Sequence, residues 1–206
     1  MNARHRLPLG FGQPVDDAQA TFRALLQALS RPGRVANCDV GVPEVPGLMP
    51  GTVAALLALT DAETPVWWGG AVDARAFAAH PAAWLSFHTG TPAAQTPGGA
   101  AFAVCGLQQS PMTLNELAGG SDVSPERSTT LLLELPTWHG GPQRLWQGPG
   151  LREPLVLGLP VRAPDFWQQW ADNGERFPSG VDVLLVCGRQ FMGLPRTTTV
   201  KLPEER

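Results

Sequence analysis

The segment from Val181 to Leu194 constrains the fold more than any other. Its two apolar runs, VDVLLVC and QFMGLP, are separated only by Gly188-Arg189. A link that short between strands admits only a tight antiparallel hairpin. Upstream, Thr129 to Leu135 reads as the clearest strand, with Arg144 to Gln147 as a hairpin partner for it. Arg34 to Cys38, the TPVWW segment, Trp84 to His88 and Ala100 to Cys105 read as further strands. Pro65 stands at the first position of its strand, where a missing N–H does least harm.

Helical patterns alternate with these runs. A helix is expected from Asp17 to Leu29, with Asp16 as N-cap and Gln19 where a capping box places its polar partner. Ala18, Phe22, Leu25, Leu26 and Leu29 make one apolar stripe along it. The Ser30-Arg31-Pro32-Gly33 sequence then stops the helix, because proline cannot continue it and glycine turns the chain. Short helices are also expected over Thr52 to Thr60, from Asp73 to just before Pro81, and over Pro111 to Ala118. Asp165 opens an amphipathic one carrying Phe166, Trp167 and Trp170. With 23 Gly and 21 Pro among 206 residues, the elements should be short and joined by many turns. No internal repeat or linker divides the chain, so a single three-layer α/β domain is expected.

Composition excludes several functions. A net charge of -3 gives no footprint for general nucleic-acid binding. Cys38, Cys105 and Cys187 are odd in number and far apart, which suggests neither a disulfide framework nor a zinc site. The opening MNARHRLPLGFGQPVDD has no apolar core of a secretory signal, and the longest apolar run, Val53 to Leu59, is far too short to span a membrane. A cytoplasmic protein is expected.

The search for chemistry turns up few motifs. Lys201, in TVKLP, is the sole lysine, so a phosphate-binding loop ending in Gly-Lys-Ser/Thr is excluded. GFGQPV and GPGLRE lack the third glycine of a dinucleotide fingerprint, and GGSDV lacks the last position of a nucleophile elbow. His5, His80, His88 and His139 show no metal-ligand spacing. Of these, His88 is the best ligand-binding candidate, because FHT is expected at a strand end, where α/β proteins place ligands. Asp182 interrupts an apolar strand, and Arg196, Thr197, Thr198 and Thr199 follow the last one. Across the expected hairpin Asp182 falls near Arg196, where a carboxylate and a guanidinium can pair bidentately. The arginine and the hydroxyls can instead cradle a phosphate or phosphonate. On the plainer reading, Asp182 faces solvent and the threonines form an ordinary edge strand.

Taken in order, VDDAQATFRALLQALSRPG, TPVWW, SFHTG, AAFAVC and FPSGVDVLLVCGRQFMGLPRTT resemble the PhnH family of the bacterial carbon-phosphorus lyase system, from about Val15 to Thr198. The resemblance implies an N-terminal arm over residues 1–14 and one domain over 15–206, built like the pyridoxal-phosphate-dependent transferases but without that cofactor. A pyridoxal enzyme holds its cofactor on a lysine, and Lys201 does not stand on a strand-to-helix loop. The resemblance further implies a homodimer that joins the G, I and J subunits of a core complex. That system forms ribose 1-methylphosphonate 5-triphosphate from ATP and methylphosphonate. The expectation is therefore an accessory subunit with no catalytic residue, metal or cofactor of its own and with neither nucleic acid nor membrane as partner. The alternative is an independent enzyme or binding protein for a phosphorylated or phosphonate small molecule, using His88, Asp182, Arg196, Thr197 and Thr198.

Overall fold

The hairpin forms as its short link requires. Strands β7 (Asp182–Cys187) and β8 (Gln190–Leu194) pair antiparallel, with Val183 opposite Leu194 and Cys187 opposite Gln190. Gly188 takes φ +60 at the turn, a region that favours glycine. The structure is a computed structural model describing residues 9–69, 81–106, 113–161 and 165–203. The expected helix after Asp73 lies outside these residues.

Around the hairpin a six-stranded sheet assembles in the order β1-β8-β7-β4-β3-β2. Here β1 is Ala36–Asn37, β2 is Val66–Trp68, β3 is Phe102–Cys105 and β4 is Thr130–Glu134. Strands β2, β3, β4 and β7 run parallel, while β8 and β1 run antiparallel at one side. Inner strands of such a sheet are covered on both faces, which is why LLL and LLV can be nearly continuous apolar runs. The side chains alternate accordingly. Val104, Leu132, Leu184 and Val186 enter one core with helices α1 (Pro14–Ser30), α2 (Pro50–Leu59) and α3 (Pro81–Thr89). Ala103, Leu131, Val183 and Leu185 enter a second core, with Phe166, Trp167 and Trp170 of helix α4 (Phe166–Glu175).

A second sheet covers part of that second face. Strands β5 (Gln143–Gln147), β6 (Leu155–Gly158) and β9 (Thr199–Lys201) are antiparallel in the order β6-β5-β9. The expected pairing of Arg144–Gln147 with the Thr129–Leu135 strand does not occur. Both sides of β4 are taken by parallel neighbours, β3 and β7. The architecture is mixed α/β, with helices on one face of the main sheet and α4 with the small sheet on the other. Among the described residues, no helix is long and apolar enough to cross a membrane.

Three local expectations are corrected. Trp84 to His88 is helical, within α3, and not a strand. Pro81 stands at the head of that helix, where a missing N–H costs nothing. The short apolar run contains no β-branched residue before Thr89, so periodicity alone does not separate helix from strand. Helix α1 begins at Pro14, ahead of Asp16, and Asp17 Oδ2 accepts from the Gln13 N–H at 2.8 Å. Its buried face is Thr21, Ala24, Leu25 and Ala28, while Phe22 and Leu26 are 48% and 52% exposed. The small residues decide this. A Cβ on Gly193 of β8 would lie 2.5 Å from the Ala28 carbonyl oxygen, so helix and strand meet backbone to backbone, where large side chains do not fit. Finally, the helix expected over Pro111 to Ala118 is, among its described residues, a single 3-10 turn at Leu114–Glu116.

Candidate functional site

Asp182 and Arg196 meet at the amino edge of the parallel strands. Asp182 opens β7 beside Thr130 of β4, and Arg196 lies just beyond the last pair of the hairpin. The arginine Nη2 contacts Asp182 Oδ2 at 2.5 Å, and its Nε lies 3.2 Å from both carboxylate oxygens. The Arg196 backbone N–H donates to Asp182 Oδ1 at 2.7 Å. Nη1 donates to the carbonyls of Pro125 and Pro178 at 3.1 and 3.2 Å, and Nη2 also donates to Ser128 Oγ. Every N–H of the guanidinium is therefore engaged within the chain. The two side chains are 12% and 25% exposed, so solvent screens the pair only in part. Chemically this is a clasp. It ties the start of β7, the 3-10 turn before β4 and the Pro178 turn to the end of β8.

Thr197 and Thr198 continue from the clasp into a turn closed by the Thr198 N–H on the Pro195 carbonyl at 2.8 Å. Thr197 is exposed and Thr198 is buried. Trp170 Nε1 of α4 donates to the Thr198 carbonyl at 2.9 Å, which fixes this turn against the helix. A cleft of ≈ 520 Å³ lies between α4 and this segment, lined by Trp170, Ala171, Phe177, Thr197, Thr199 and Lys201 among others. Arg196 and Thr198 line it as well. The buried Thr198 Oγ1 has no hydrogen-bond partner.

His88 does not join this group. It lies in the last turn of α3, with its ring 4.9 Å from that of Trp84 and 5.1 Å from that of Phe87. A Cβ on Gly10 would touch its Nδ1 at 3.2 Å, so the segment leading into α1 passes over the ring. Trp84 belongs to the first core and Trp170, which holds Thr198, to the second. Histidine and threonines thus lie against opposite faces of the sheet. The strand-end argument for His88 fails because the segment is a helix.

The carboxyl edge of the parallel strands, where open α/β sheets usually bind ligands, carries a residue that the sequence reading passed over. Glu134 ends β4 and is 5% exposed. Its Oε1 accepts from the Met49 N–H at 2.7 Å and from Thr52 Oγ1 at 2.6 Å. The carboxylate thus caps helix α2 from a distant strand, in place of a local N-cap side chain. The signal was available, since TLLLELP ends an apolar run on an acid. Nearby, Cys187 ends β7, and burial pushes its thiol up from the ordinary value, leaving it protonated at neutral pH. Among the described residues, no group of three or more His, Cys, Asp or Glu is placed to hold a metal ion.

Comparison with known proteins identifies the lineage. The family model described as "Bacterial phosphonate metabolism protein (PhnH)" matches residues 9–201. The chain is 32% identical over 203 residues to the alpha-D-ribose 1-methylphosphonate 5-triphosphate synthase subunit PhnH of Rhizobium meliloti (strain 1021), covering 98% of this chain and 99% of that protein. It is also 35% identical over 83 residues to HtxG of Stutzerimonas stutzeri, named as a C-P lyase subunit protein, covering 40% of this chain and 43% of that one. A match of this extent leaves one assignment: the chain belongs to the PhnH family of bacterial phosphonate metabolism proteins.

Proposed function

We propose that this protein is an accessory subunit of a carbon-phosphorus lyase system. It supports formation of ribose 1-methylphosphonate 5-triphosphate from ATP and methylphosphonate without an active site of its own. The observation that carries this reading is the near end-to-end match to a relative named as a subunit of that synthase. The geometry supports it. Arg196 and Asp182, the ion pair found among the described residues, are engaged with each other and with the backbone, and Cys187 is not activated. The face of α1 that the sheet leaves uncovered suits a subunit surface. Val15, Phe22 and Leu26 are 69%, 48% and 52% exposed there. A homodimer, assembly with the G, I and J subunits and a cytoplasmic location complete the proposal.

The alternative, an independent binding protein for a phosphonate built on Arg196 and the threonines, has less support. Its cationic group has no N–H left for an anion in this arrangement. The test is reconstitution. The chain is expected to co-purify with G, I and J subunits from phosphate-starved cells, and to restore adenine release from ATP and methylphosphonate in an assembly lacking its own H subunit. An assembly that forms and works equally well without the chain overturns the proposal.

A further inference from the structure

Two loops distant in sequence interlock beside the end of α1. The first is the Ser30–Arg34 turn, closed by the Arg34 N–H on the Arg31 carbonyl at 3.2 Å. The second joins β5 to β6 and turns at Gly148, whose carbonyl accepts from the Leu151 N–H at 3.2 Å. Each side uses a glycine of positive φ: Gly33 seats the first turn on the start of β6, and Gly150 seats the second loop on the first turn. A Cβ on Gly33 (φ +75) would lie 2.6 Å from Leu155 Cδ2, and one on Gly150 (φ +86) would lie 2.5 Å from the Ser30 carbonyl oxygen. The contact is therefore fixed to within an atom's width, and it brings three arginines together: Arg31 and Arg34 from one loop, Arg152 from the other.

They line one cleft of ≈ 550 Å³, with Glu153 as the one acidic residue among its described lining. All three arginines are exposed. None makes a side-chain hydrogen bond, and the one ion pair among the described residues is Asp182–Arg196, elsewhere in the molecule. Like charges gathered without a partner repel. Set against the single carboxylate of Glu153, the three guanidinium groups leave a local excess of positive charge in a chain of net charge -3. Guanidinium groups present forked donors matched to phosphoryl oxygens, and the volume falls within the range of small-molecule sites. One phosphate, at about -1.5 to -2 near pH 7, does not balance three guanidinium charges, whereas a chain of phosphoryl groups does. We propose that this cleft binds the oligophosphate chain of a small molecule through Arg31, Arg34 and Arg152. The site is distinct from Arg196 and goes beyond the subunit reading, since it gives the isolated chain a ligand of its own.

Calorimetric titration of the purified chain at low ionic strength, with inorganic phosphate, tripolyphosphate and ATP, tests this. Tripolyphosphate should bind more tightly than phosphate. Arg34→Gln should weaken it by about tenfold, the loss of one charge-assisted contact. The Arg34→Gln, Arg152→Gln double variant should abolish binding. Arg23→Gln, along the outer side of α1, should leave it unchanged. Equal affinity for ATP and tripolyphosphate identifies the phosphate chain as the whole ligand, and tighter ATP binding adds the nucleoside. The site is refuted if tripolyphosphate does not bind, if the double variant binds it as well as the parent, or if Arg23→Gln loses as much. Arginines that merely complement the end of α1 would lower stability on replacement and leave tripolyphosphate unbound, which also refutes it. No partner subunit enters the titration, so this result and the reconstitution can fail independently.

Discussion

Four arginines of this chain divide into two opposite situations. Arg196 is nearly buried, and its every N–H meets an oxygen of Asp182, Ser128, Pro125 or Pro178. Arg31, Arg34 and Arg152 converge on a cleft, and their side chains make no hydrogen bond or ion pair among the described residues. Sequence alone offered Arg196 two roles, partner of Asp182 or ligand-binding arginine, the second because hydroxyls follow it. The difference teaches that a guanidinium beside a strand end is first a cross-link, available to a ligand only when the fold leaves its donors over. An arginine cluster on exposed loops has the donors left over and lacks only a rigid base, which the interlocked glycines supply.

Breaking the clasp should have the largest effect on stability. Asp182→Asn or Arg196→Gln is expected to cost about 3 kcal/mol, since each leaves the other charge half-buried and unpaired. The double variant should cost less than the sum of the two, and denaturant unfolding of all three measures that coupling. Additive small losses would move Arg196 back among the candidate ligand groups. On the cleft side, Gly150→Ala should cost about 2 kcal/mol by thermal unfolding, from a strained φ and a Cβ forced onto the Ser30 carbonyl. It should also weaken tripolyphosphate binding by separating Arg152 from Arg31 and Arg34.

Smaller changes sharpen the contrast. Ser128→Ala removes one neutral acceptor from Arg196 and should cost about 1 kcal/mol, read from the shift in the unfolding midpoint. Arg34→Gln and Arg152→Gln should change stability by less than about 0.5 kcal/mol, because neither side chain has a partner to lose. If either costs as much as Ser128→Ala, the cleft arginines are structural and the comparison collapses.

Much of the fold was legible along the chain. The two-residue link at Gly188-Arg189 made the β7–β8 hairpin unavoidable, and the hairpin in turn brought Asp182 to Arg196. The apolar runs around Leu131 and Val104 were readable as buried strands. Trp84 to His88 was not readable, because a short apolar run has the same composition in a helix and in a strand. Nor was the fate of Arg144 to Gln147, since nothing local tells a strand which sheet has room for it. Glu134 could have been singled out as an acid ending an apolar run, but its task of capping a helix that begins at Pro50 is set by packing across the sheet.

What the sequence determined by itself is therefore local. Short links, glycine and proline positions and alternating hydrophobicity act over a few residues, and they set the hairpin, the helix stop at Ser30 and the family signature. Only the tertiary structure decided which face of α1 is buried, that His88 and Thr198 lie against opposite faces of one sheet, and that Arg31 and Arg152 share a cleft. Each of these depends on steric fit between segments far apart in the chain. A missing Cβ at Gly193 or Gly150 matters only to the neighbour that packs against it, and that neighbour cannot be read from the local sequence.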